Sequence, residues 1–314
     1  MSLFRRPQRA DVPAFAAAPA RRPASATAPG GAPHDDWRAY GPIAEDYARV
    51  VAARMTGIAA DLVDLVAVPP GALVLDVGTG TGATARTAAR AAGARVVGVD
   101  PSVGMLRQAL RGDGAVNGHA SATPAAAAAA PGPRFVAAAA IDLPFRDATF
   151  GYVTAAFVLN HFARYDTALY DMVRVLASGG RLGVATWGKR DDELGAAWRE
   201  VAEEFAEREV LELAHREAQP WAERFADPGE VHLALREAGL GEIRVERREY
   251  HLTFTREDYL RSREIGATGR FLRQMLGEEL WPSFAARARQ VFEQRLPEAF
   301  NDFRDVNLAI AAKP

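Results

Sequence analysis

The sequence of 314 residues predicts an α/β fold built on a doubly wound, mostly parallel sheet. Short apolar runs of strand length occur along the chain, and segments with helical spacing separate them. The strand runs are continuously apolar rather than alternating, which is typical of strands that are covered on both faces. Repeated strand–helix units also imply right-handed crossovers, and such crossovers build a sheet with helices on both sides.

The first half of the chain contains most of these units. Predicted strands cover 73–77, 96–99, 135–140, 152–157 and 182–186, and predicted helices cover 83–92, 103–110 and 167–176. After Trp187 the pattern predicts one long helix over 191–217, a short helix over 228–238, helices from 256 to 295 and a last strand over 306–311. Gly239 is a suitable stop for the short helix.

The segment 243–254 has an irregular strand pattern. Ile243 and Val245 share one parity, whereas the apolar residues at 250, 252 and 254 have the opposite parity. Since one strand cannot bury both sets on a single face, we expect a bulge or a sharp twist near 247–249.

Composition divides the chain into a tail and one domain. Residues 1–36 are rich in Ala, Pro and Arg, so we expect a disordered tail; an organellar transit peptide is the less favoured alternative, because Ser is scarce and prolines interrupt any amphipathic helix. Residues 37–314 form the predicted domain. It contains an Ala-rich surface insertion at 112–133 and two insertions, at about 189–226 and 255–302, that we expect to be helical caps over a site.

Charge and composition restrict the function. A formal net charge of −2 gives no global attraction to nucleic acid or to anionic membranes. The chain has no cysteine, which excludes disulfides and thiolate metal sites, and we expect no metal. No apolar run approaches the roughly 20 residues that cross a bilayer, and no secretory apolar core follows the first arginines, so a cytoplasmic location is expected.

The strongest local motif is Val74-Leu75-Asp76-Val77-Gly78-Thr79-Gly80-Thr81-Gly82, in which a strand ends in three alternate glycines before a helix. Glycine allows positive φ and close approach of a ligand. The pattern also satisfies a dinucleotide fingerprint. Asp76 favours another ligand, because a carboxylate here would repel a diphosphate and attract an ammonium group. S-adenosylmethionine carries an ammonium and a sulfonium but no phosphate.

These residues, followed by Val97-Gly98-Val99-Asp100-Pro101-Ser102 and Ile141-Asp142-Leu143-Pro144-Phe145, resemble the class I S-adenosylmethionine-dependent methyltransferases. The similarity is greatest to the small-molecule branch with ubiquinone/menaquinone-type enzymes (methyltransferase type 11-like), and it covers roughly residues 37–255. It implies a seven-stranded Rossmann-like methyltransferase fold, S-adenosylmethionine as cofactor, a small-molecule acceptor and in-line methyl transfer.

Several residues become candidates for cofactor binding. Asp100 is expected on the ribose hydroxyls, with a helix N-cap as the alternative. The resemblance implies that Asp142 accepts from the adenine amino group, with a plain turn as the alternative, and that Met105 packs on adenine unless it is simple core. Tyr40 and Tyr47 would share one helix face and attract the sulfonium, or merely pack. The full cofactor set is Tyr40, Tyr47, Asp76, Gly78, Gly80, Gly82, Asp100, Pro101, Met105, Ile141, Asp142, Leu143 and Phe157.

The candidates for receiving a proton from the acceptor are His161 and Tyr165. A hydrogen-bonded structural histidine is an equal alternative for His161. Two rival functions remain open at this level. One is an NAD(P)-dependent oxidoreductase that uses the same glycine turn, and the other is a non-catalytic S-adenosylmethionine-binding module whose long helices at 191–217 and 256–295 serve a homodimer or a docking surface.

Overall fold

The computed structural model describes residues 38–112, 132–189 and 193–314. The predicted tail over 1–36 and most of the Ala-rich insertion over 112–133 lie outside these residues.

A seven-stranded sheet forms the centre of the protein, with the strand order β3-β2-β1-β4-β5-β7-β6. Strands β1 to β5 are parallel to one another, and β7 runs antiparallel between β5 and β6. The strands are β1 Leu73–Val77, β2 Arg95–Asp100, β3 Arg134–Ala137, β4 Phe150–Ala156, β5 Leu176–Trp187, β6 Gly241–Thr255 and β7 Ala299–Ala312. The predicted doubly wound, mostly parallel α/β fold is confirmed.

Helices cover both faces of the sheet. They are α1 Ala44–Val50, α2 Thr56–Val66, α3 Ala83–Ala92, α4 Val103–Arg111, α5 Tyr165–Val175, α6 Glu193–Glu203, α7 Arg208–Ala218, α8 Ala222–Phe225, α9 Pro228–Glu237, α10 Arg256–Glu264 and α11 Ala267–Arg295. Short 3₁₀ turns occupy Gly41–Ile43, Ala52–Arg54 and Leu159–His161. Side-chain caps lie at the start of several helices. At the start of α4, for example, Ser102 Oγ accepts a hydrogen bond from the Met105 amide at 3.3 Å.

The prediction of one long helix over 191–217 is wrong. Two helices, α6 and α7, occupy this range, and the chain breaks between them around Phe205, before the extended residue Glu207. The ring of Phe205 packs edge-on against Phe284 of α11, with 5.4 Å between the centroids. Tertiary packing of this aromatic therefore overrides the helical propensity of the surrounding charged residues.

The bulge predicted near 247–249 is also wrong. Pairing between β6 and β7 is continuous from Arg244 to Thr255, and the irregularity lies between Gly241 and Arg244, where Glu242 has a φ of 48°. Ile243 and Val245 pack on the core that also contains α5 and α9, whereas Leu252 packs on the core beneath α6 and α11. Apolar residues of both parities are therefore packed against a core, because helices cover both faces of the sheet at β6.

Candidate functional site

The glycine turn follows β1 at the carboxyl edge of the sheet. Gly78, Gly80 and Gly82 have φ values of 65°, 54° and 84°, so all three lie in the left-handed region that the sequence motif predicts. A Cβ added at Gly78 would overlap the Cγ1 of Val158, whereas one added at Gly80 would meet only a backbone oxygen at 4.0 Å. The turn is therefore packed against the protein at its start and open at its middle glycine.

Asp76 lies beneath this turn, with only 2% of its surface exposed. Its Oδ2 accepts from the Thr79 hydroxyl at 2.6 Å and its Oδ1 accepts from the Thr154 hydroxyl at 2.8 Å. Burial raises the pKa of the Asp76 carboxyl to about 6, although both hydroxyls act in the opposite direction. The carboxylate thus contributes its charge from under the turn.

Asp100 connects the end of β2 to the turn. Its Oδ2 accepts from the Gly80 amide at 3.0 Å, and its Oδ1 accepts from the Ser102 amide at 2.8 Å. Burial raises its pKa. Ser102, not Asp100, is the side-chain cap of α4, so the N-cap alternative for Asp100 is wrong. Each carboxylate oxygen has a second lone pair, which leaves Asp100 able to accept from two ligand hydroxyls.

The loop after β3 carries the next candidates. Ile141 is 54% exposed and Asp142 is also exposed, so both are accessible at this edge. Leu143 is buried in the core, and its amide donates to the Asp171 carboxylate at 2.5 Å. The loop is therefore anchored through Leu143 and presents its two preceding side chains to solvent.

The N-terminal segment (residues 38–54) crosses the first turn of α4. Tyr40 and Tyr47 do not share one helix, because the 3₁₀ turn with Pro42 precedes α1. Their rings nevertheless meet edge-to-face, with 5.9 Å between the centroids. The segment lies close to α4 because Gly104 has no side chain: a Cβ there would lie 2.7 Å from the Gly41 oxygen.

Burial is the main cause that raises the pKa of both tyrosines, and the negative charge of Asp100 acts in the same direction. Next to them, Pro101 is exposed and Met105 is buried within α4.

Phe157 and His161 follow β4 at the same edge. Phe157 has a φ of 58°, which is a strained value for a side chain of this size, and its ring stacks on Trp187 at the end of β5 with 4.2 Å between the centroids. The His161 ring meets Tyr40 edge-to-face at 5.7 Å. Its Nδ1 lies 3.3 Å from the Ala218 carbonyl, which can only accept, so Nδ1 carries the proton. Burial lowers the pKa of His161 to about 4.

Tyr165 is embedded in an aromatic cluster at the start of α5. It packs against Trp221 and Phe225 at centroid distances of 4.8 and 5.1 Å, and its hydroxyl accepts from Arg224. The guanidinium also lies over the tyrosine ring, 5.0 Å from the centroid. These contacts give Tyr165 a structural place in the core.

Several side chains at this edge are absent from the candidates that the sequence suggests. Thr79 lies inside the glycine motif, three residues after Asp76. A hydrogen bond from its hydroxyl to the Asp76 carboxylate could therefore have been predicted. Thr154 and Trp187 come from neighbouring strands, and Arg270 comes from α11 in the second insertion. The guanidinium of Arg270 lies 4.5 Å from the Tyr40 ring centroid. Local sequence gives no signal for contacts over such separations.

Comparison with known proteins agrees with this geometry. Residues 75–184 match the family described as the methyltransferase domain. Demethylmenaquinone methyltransferase of Thermus thermophilus is 43% identical over 112 residues, which cover 35% of this chain and 45% of that protein. This region is therefore similar in sequence to a methyltransferase domain. The chain is also 31% identical over 143 residues to 2-methyl-6-phytyl-1,4-hydroquinone methyltransferase of Synechocystis, and this match covers 46% of this chain and 39% of that protein.

The chain spans about half the length of the first of these relatives. Among solved structures, YcgJ of Bacillus subtilis is similar, with a TM-score of 0.51 and 17% identity over 82% of this chain and 98% of that one. At this level of identity, the similarity shows a shared fold.

Within the described ranges, no helix has the length and apolarity that crossing a membrane requires. In the same residues, no cluster of three or more His, Asp or Glu side chains could hold a metal ion.

Proposed function

We propose that this protein transfers a methyl group from S-adenosylmethionine to a small-molecule acceptor. The observation that carries the proposal is the link between the two cofactor motifs, in which the Gly80 amide donates to Asp100 at 3.0 Å. This hydrogen bond holds Asp100, the acid expected at the ribose hydroxyls, beside Gly80, where the glycine turn is open. A nucleoside without phosphates fits here, because hydroxyls can bind Asp100 and the turn leaves room at Gly80.

The electrostatics disfavour the nicotinamide alternative. A dinucleotide would bring its diphosphate to the glycine turn, directly above the buried Asp76 and next to Asp100. The Asp76 carboxylate at this position would repel a diphosphate and attract an ammonium group. The residues that would hold the cofactor are Asp76 and Gly80 at the turn, Asp100 at the ribose, and Ile141 and Asp142 at the adenine.

When bound, the cofactor supplies an electrophilic methyl group next to a positively charged sulfur. The protein contributes alignment and exclusion of water, which together are worth up to roughly 7–11 kcal/mol in favourable cases. Tyr40 and Tyr47 would cover the site from the N-terminal segment, where their rings meet edge-to-face. His161 keeps Nε2 unprotonated, because its Nδ1 proton is donated to Ala218 and its pKa is about 4. Nε2 can therefore orient an acceptor hydroxyl or receive its proton.

We further propose that the acceptor is an aromatic ring of the hydroquinone type. Two of the similar proteins act, by their names, on demethylmenaquinone and on a phytyl hydroquinone. The stacked pair of Phe157 and Trp187 supports the same class, because it provides flat apolar surface at the ends of β4 and β5. The strained backbone at Phe157 indicates that this ring is held in place for a purpose beyond packing.

Calorimetry and a radioactive methyl-transfer assay test these proposals. We expect the full-length protein to bind S-adenosylhomocysteine more tightly than NAD⁺, and to transfer labelled methyl groups to demethylmenaquinol or 2-methyl-6-phytyl-1,4-hydroquinone. Asp100→Ala should weaken S-adenosylhomocysteine binding about tenfold or more, since charged hydrogen bonds contribute roughly 1.5–3 kcal/mol each. Asp147→Ala is the matched control, because that carboxylate is exposed and lies in an ion pair with Arg174. Tight binding of NAD⁺ with no response to S-adenosylhomocysteine would refute the function.

A further inference from the structure

β6 forms one edge of the sheet, because it pairs with β7 on one side and with no strand of the described residues on the other. An edge strand presents unpaired backbone N–H and C=O groups, to which another strand can add. Pairing between β6 and β7 is regular from Arg244 to Thr255, and only the start of the strand is irregular, at Glu242. Most of β6 therefore has the backbone geometry that an added strand needs.

Two hydrogen bonds show which residues of β6 turn their backbone groups away from β7. The Asp305 carbonyl of β7 accepts from the Gly188 amide at 2.7 Å, so Asp305 faces β5, and Glu249, which pairs with Asp305, faces outward. The Thr253 carbonyl also faces outward, because it accepts from Arg54 Nε at 2.7 Å. Since backbone direction alternates along an antiparallel strand, the odd-numbered residues from 245 to 253 all face outward.

Four of these outward residues form an open edge, which consists of Val245, Arg247, Glu249 and His251. Among the described residues, no group forms a hydrogen bond with their outward backbone atoms. The side chains of Arg247, Glu249 and His251 are 53%, 59% and 55% exposed, so no other element covers this stretch. The bulge ends the open edge on one side, and the hydrogen bond to Thr253 ends it on the other.

The charges of the open edge are complementary to an antiparallel copy of themselves. With a two-fold axis at Arg248, Arg247 lies opposite Glu249 of the second copy, and Glu249 lies opposite Arg247 of that copy. Opposite charges in such cross-strand pairs are stabilising, whereas like charges are destabilising. An axis one residue earlier would place Arg247 opposite itself, and an axis one residue later would place Glu249 opposite itself. The charge pattern therefore selects the axis at Arg248.

This axis also places the two Arg248 side chains opposite each other, on the other face of the sheet. Each of them is already compensated within its own chain, since its Nη1 lies 3.0 Å from Asp61 and its Nη2 lies 2.6 Å from Glu246. Charged side chains usually protect an edge strand from pairing. Here the exposed charges match a second copy of the same strand, so the edge selects its own partner.

We infer that two copies of this protein associate through the open edges of β6, in antiparallel orientation about Arg248. Each outward residue then exchanges both backbone N–H···O bonds with the residue opposite it, and Val245 meets His251. The two seven-stranded sheets join into one continuous sheet. This interface uses neither the long helices nor the carboxyl edge of the parallel strands, so the inference does not depend on the proposed function.

Size-exclusion chromatography with multi-angle light scattering on the full-length protein tests the inference. We expect a dimer at micromolar concentration. Glu249→Pro removes an outward N–H but leaves the hydrogen bonds between β6 and β7 in place, so the dissociation constant should rise at least about tenfold. Thr253→Pro is the matched control, because this residue also faces outward but Arg54 already occupies its carbonyl. The dimer should persist in this control.

Charge reversal tests the position of the axis. Glu249→Arg places like charges opposite each other at both ion pairs, so the dissociation constant should again rise about tenfold. Adding Arg247→Glu restores opposite charges across the axis, and the double variant should dimerise as the wild type does. The guanidinium introduced at 249 then lies opposite Asp305 of its own chain, so this acid keeps an ion partner.

Other results overturn the inference. A wild-type protein that stays monomeric at micromolar concentration has no such interface, and a dimer that persists in both Glu249→Pro and Glu249→Arg uses another surface, such as the long helices. If Thr253→Pro dissociates as readily as Glu249→Pro, or if the double variant is not restored, pairing about Arg248 is wrong. Circular dichroism checks that each variant is folded, and if Glu249→Pro is not, the charge-reversal variants alone decide.

Discussion

The hydroxyl of Thr154 on β4 donates to Oδ1 of Asp76 on β1 at 2.8 Å, so a buried carboxylate is held across two neighbouring strands. Thr79 satisfies the other oxygen from within the glycine turn. An acid that is buried and bound in this way can act on a ligand through its charge without touching it. The sequence predicts that Asp76 attracts an ammonium group, and this arrangement would allow it to do so through its charge.

The affinity for S-adenosylhomocysteine should therefore depend on the protonation of Asp76. With a pKa of about 6, the carboxyl is mostly ionised at pH 7.5 and mostly protonated at pH 5. Loss of this negative charge should weaken binding about tenfold by calorimetry, as expected for one charge interaction at intermediate dielectric. Asp76→Asn should bind at pH 7.5 as weakly as the wild type does at pH 5. 5′-Methylthioadenosine, which has no ammonium, is the control, and an equal pH dependence for both ligands would contradict this role.

The stability of the protein in acid should reflect two opposing groups. The pKa of Asp76 is raised, so the folded state binds more protons and this group adds stability as the pH falls through 6 toward 4. The pKa of His161 is lowered to about 4, so the unfolded state binds more protons and this group removes stability as the pH falls below 6.5. Each effect is about 2 kcal/mol between pH 7.5 and 4.5.

Two variants separate these effects in urea unfolding at pH 7.5 and 4.5. Between pH 7.5 and 4.5, the free energy of unfolding of His161→Gln should fall by about 2 kcal/mol less than that of the wild type. The free energy of unfolding of Asp76→Asn should fall by about 2 kcal/mol more. His251→Gln is the control, because that ring is on the exposed part of β6. Variants that all follow the wild-type pH dependence would show that neither group is perturbed in the folded state.

The two glycines at the start and middle of the turn should respond differently to alanine. Both have positive φ, which costs an alanine roughly 1–2 kcal/mol. Gly78→Ala also overlaps Val158, so it should be markedly less stable than Gly80→Ala, whose Cβ has open space. Gly80→Ala should keep the fold but bind S-adenosylhomocysteine at least about tenfold more weakly, because the methyl group occupies the ligand side of the turn.

A second substitution distinguishes the contact with Val158 from backbone strain as the cause of the lost stability. In the Gly78→Ala background, Val158→Gly removes the overlapping side chain and should recover part of the lost stability. The double variant should therefore be more stable than the sum of the two single losses predicts. The same substitution should not help Gly80→Ala. Equal losses of stability for the two alanine variants would show that backbone strain, and not the contact with Val158, dominates.

The sequence predicts the parallel half of the sheet well because its signals are local. The glycines at 78, 80 and 82 require positive φ, and β1 and α3 have the bounds that periodicity predicts. The loop after β3 was harder, since the predicted strand 135–140 ends at Ala137. The helix predicted over 191–217 failed at Phe205, where a contact with a residue about eighty positions later decides the backbone.

The candidate site divides in the same way. Asp76, Asp100 and the glycines can be found from the sequence, since each lies at a strand end with a recognisable spacing. The shared bond between Gly80 and Asp100 follows from β1 and β2 being neighbours, which periodicity cannot show. Arg270 reaches Tyr40 from about 230 residues further along the chain. Such contacts are properties of the packed structure.

Trp187 should affect the acceptor and not the cofactor. It ends β5 and stacks on Phe157 with an angle of 27° between the rings, whereas most of the candidate cofactor residues lie at the ends of β1, β2 and β3. Trp187→Leu keeps an apolar side chain but removes the aromatic surface, so the KM for demethylmenaquinol should rise about twofold to tenfold, in proportion to the 0.5–1.5 kcal/mol of an aromatic pair. The affinity for S-adenosylhomocysteine should be unchanged.

Trp281→Leu is the matched control for this substitution, because Trp281 also packs on a phenylalanine, with 5.2 Å between its centroid and that of Phe284, but within α11. It should lower stability and leave the acceptor KM unchanged. If Trp187→Leu changes S-adenosylhomocysteine affinity as strongly as it changes the acceptor KM, the stacked pair belongs to the cofactor site. The strained φ of Phe157 would then serve cofactor binding, as the sequence originally suggested for this residue.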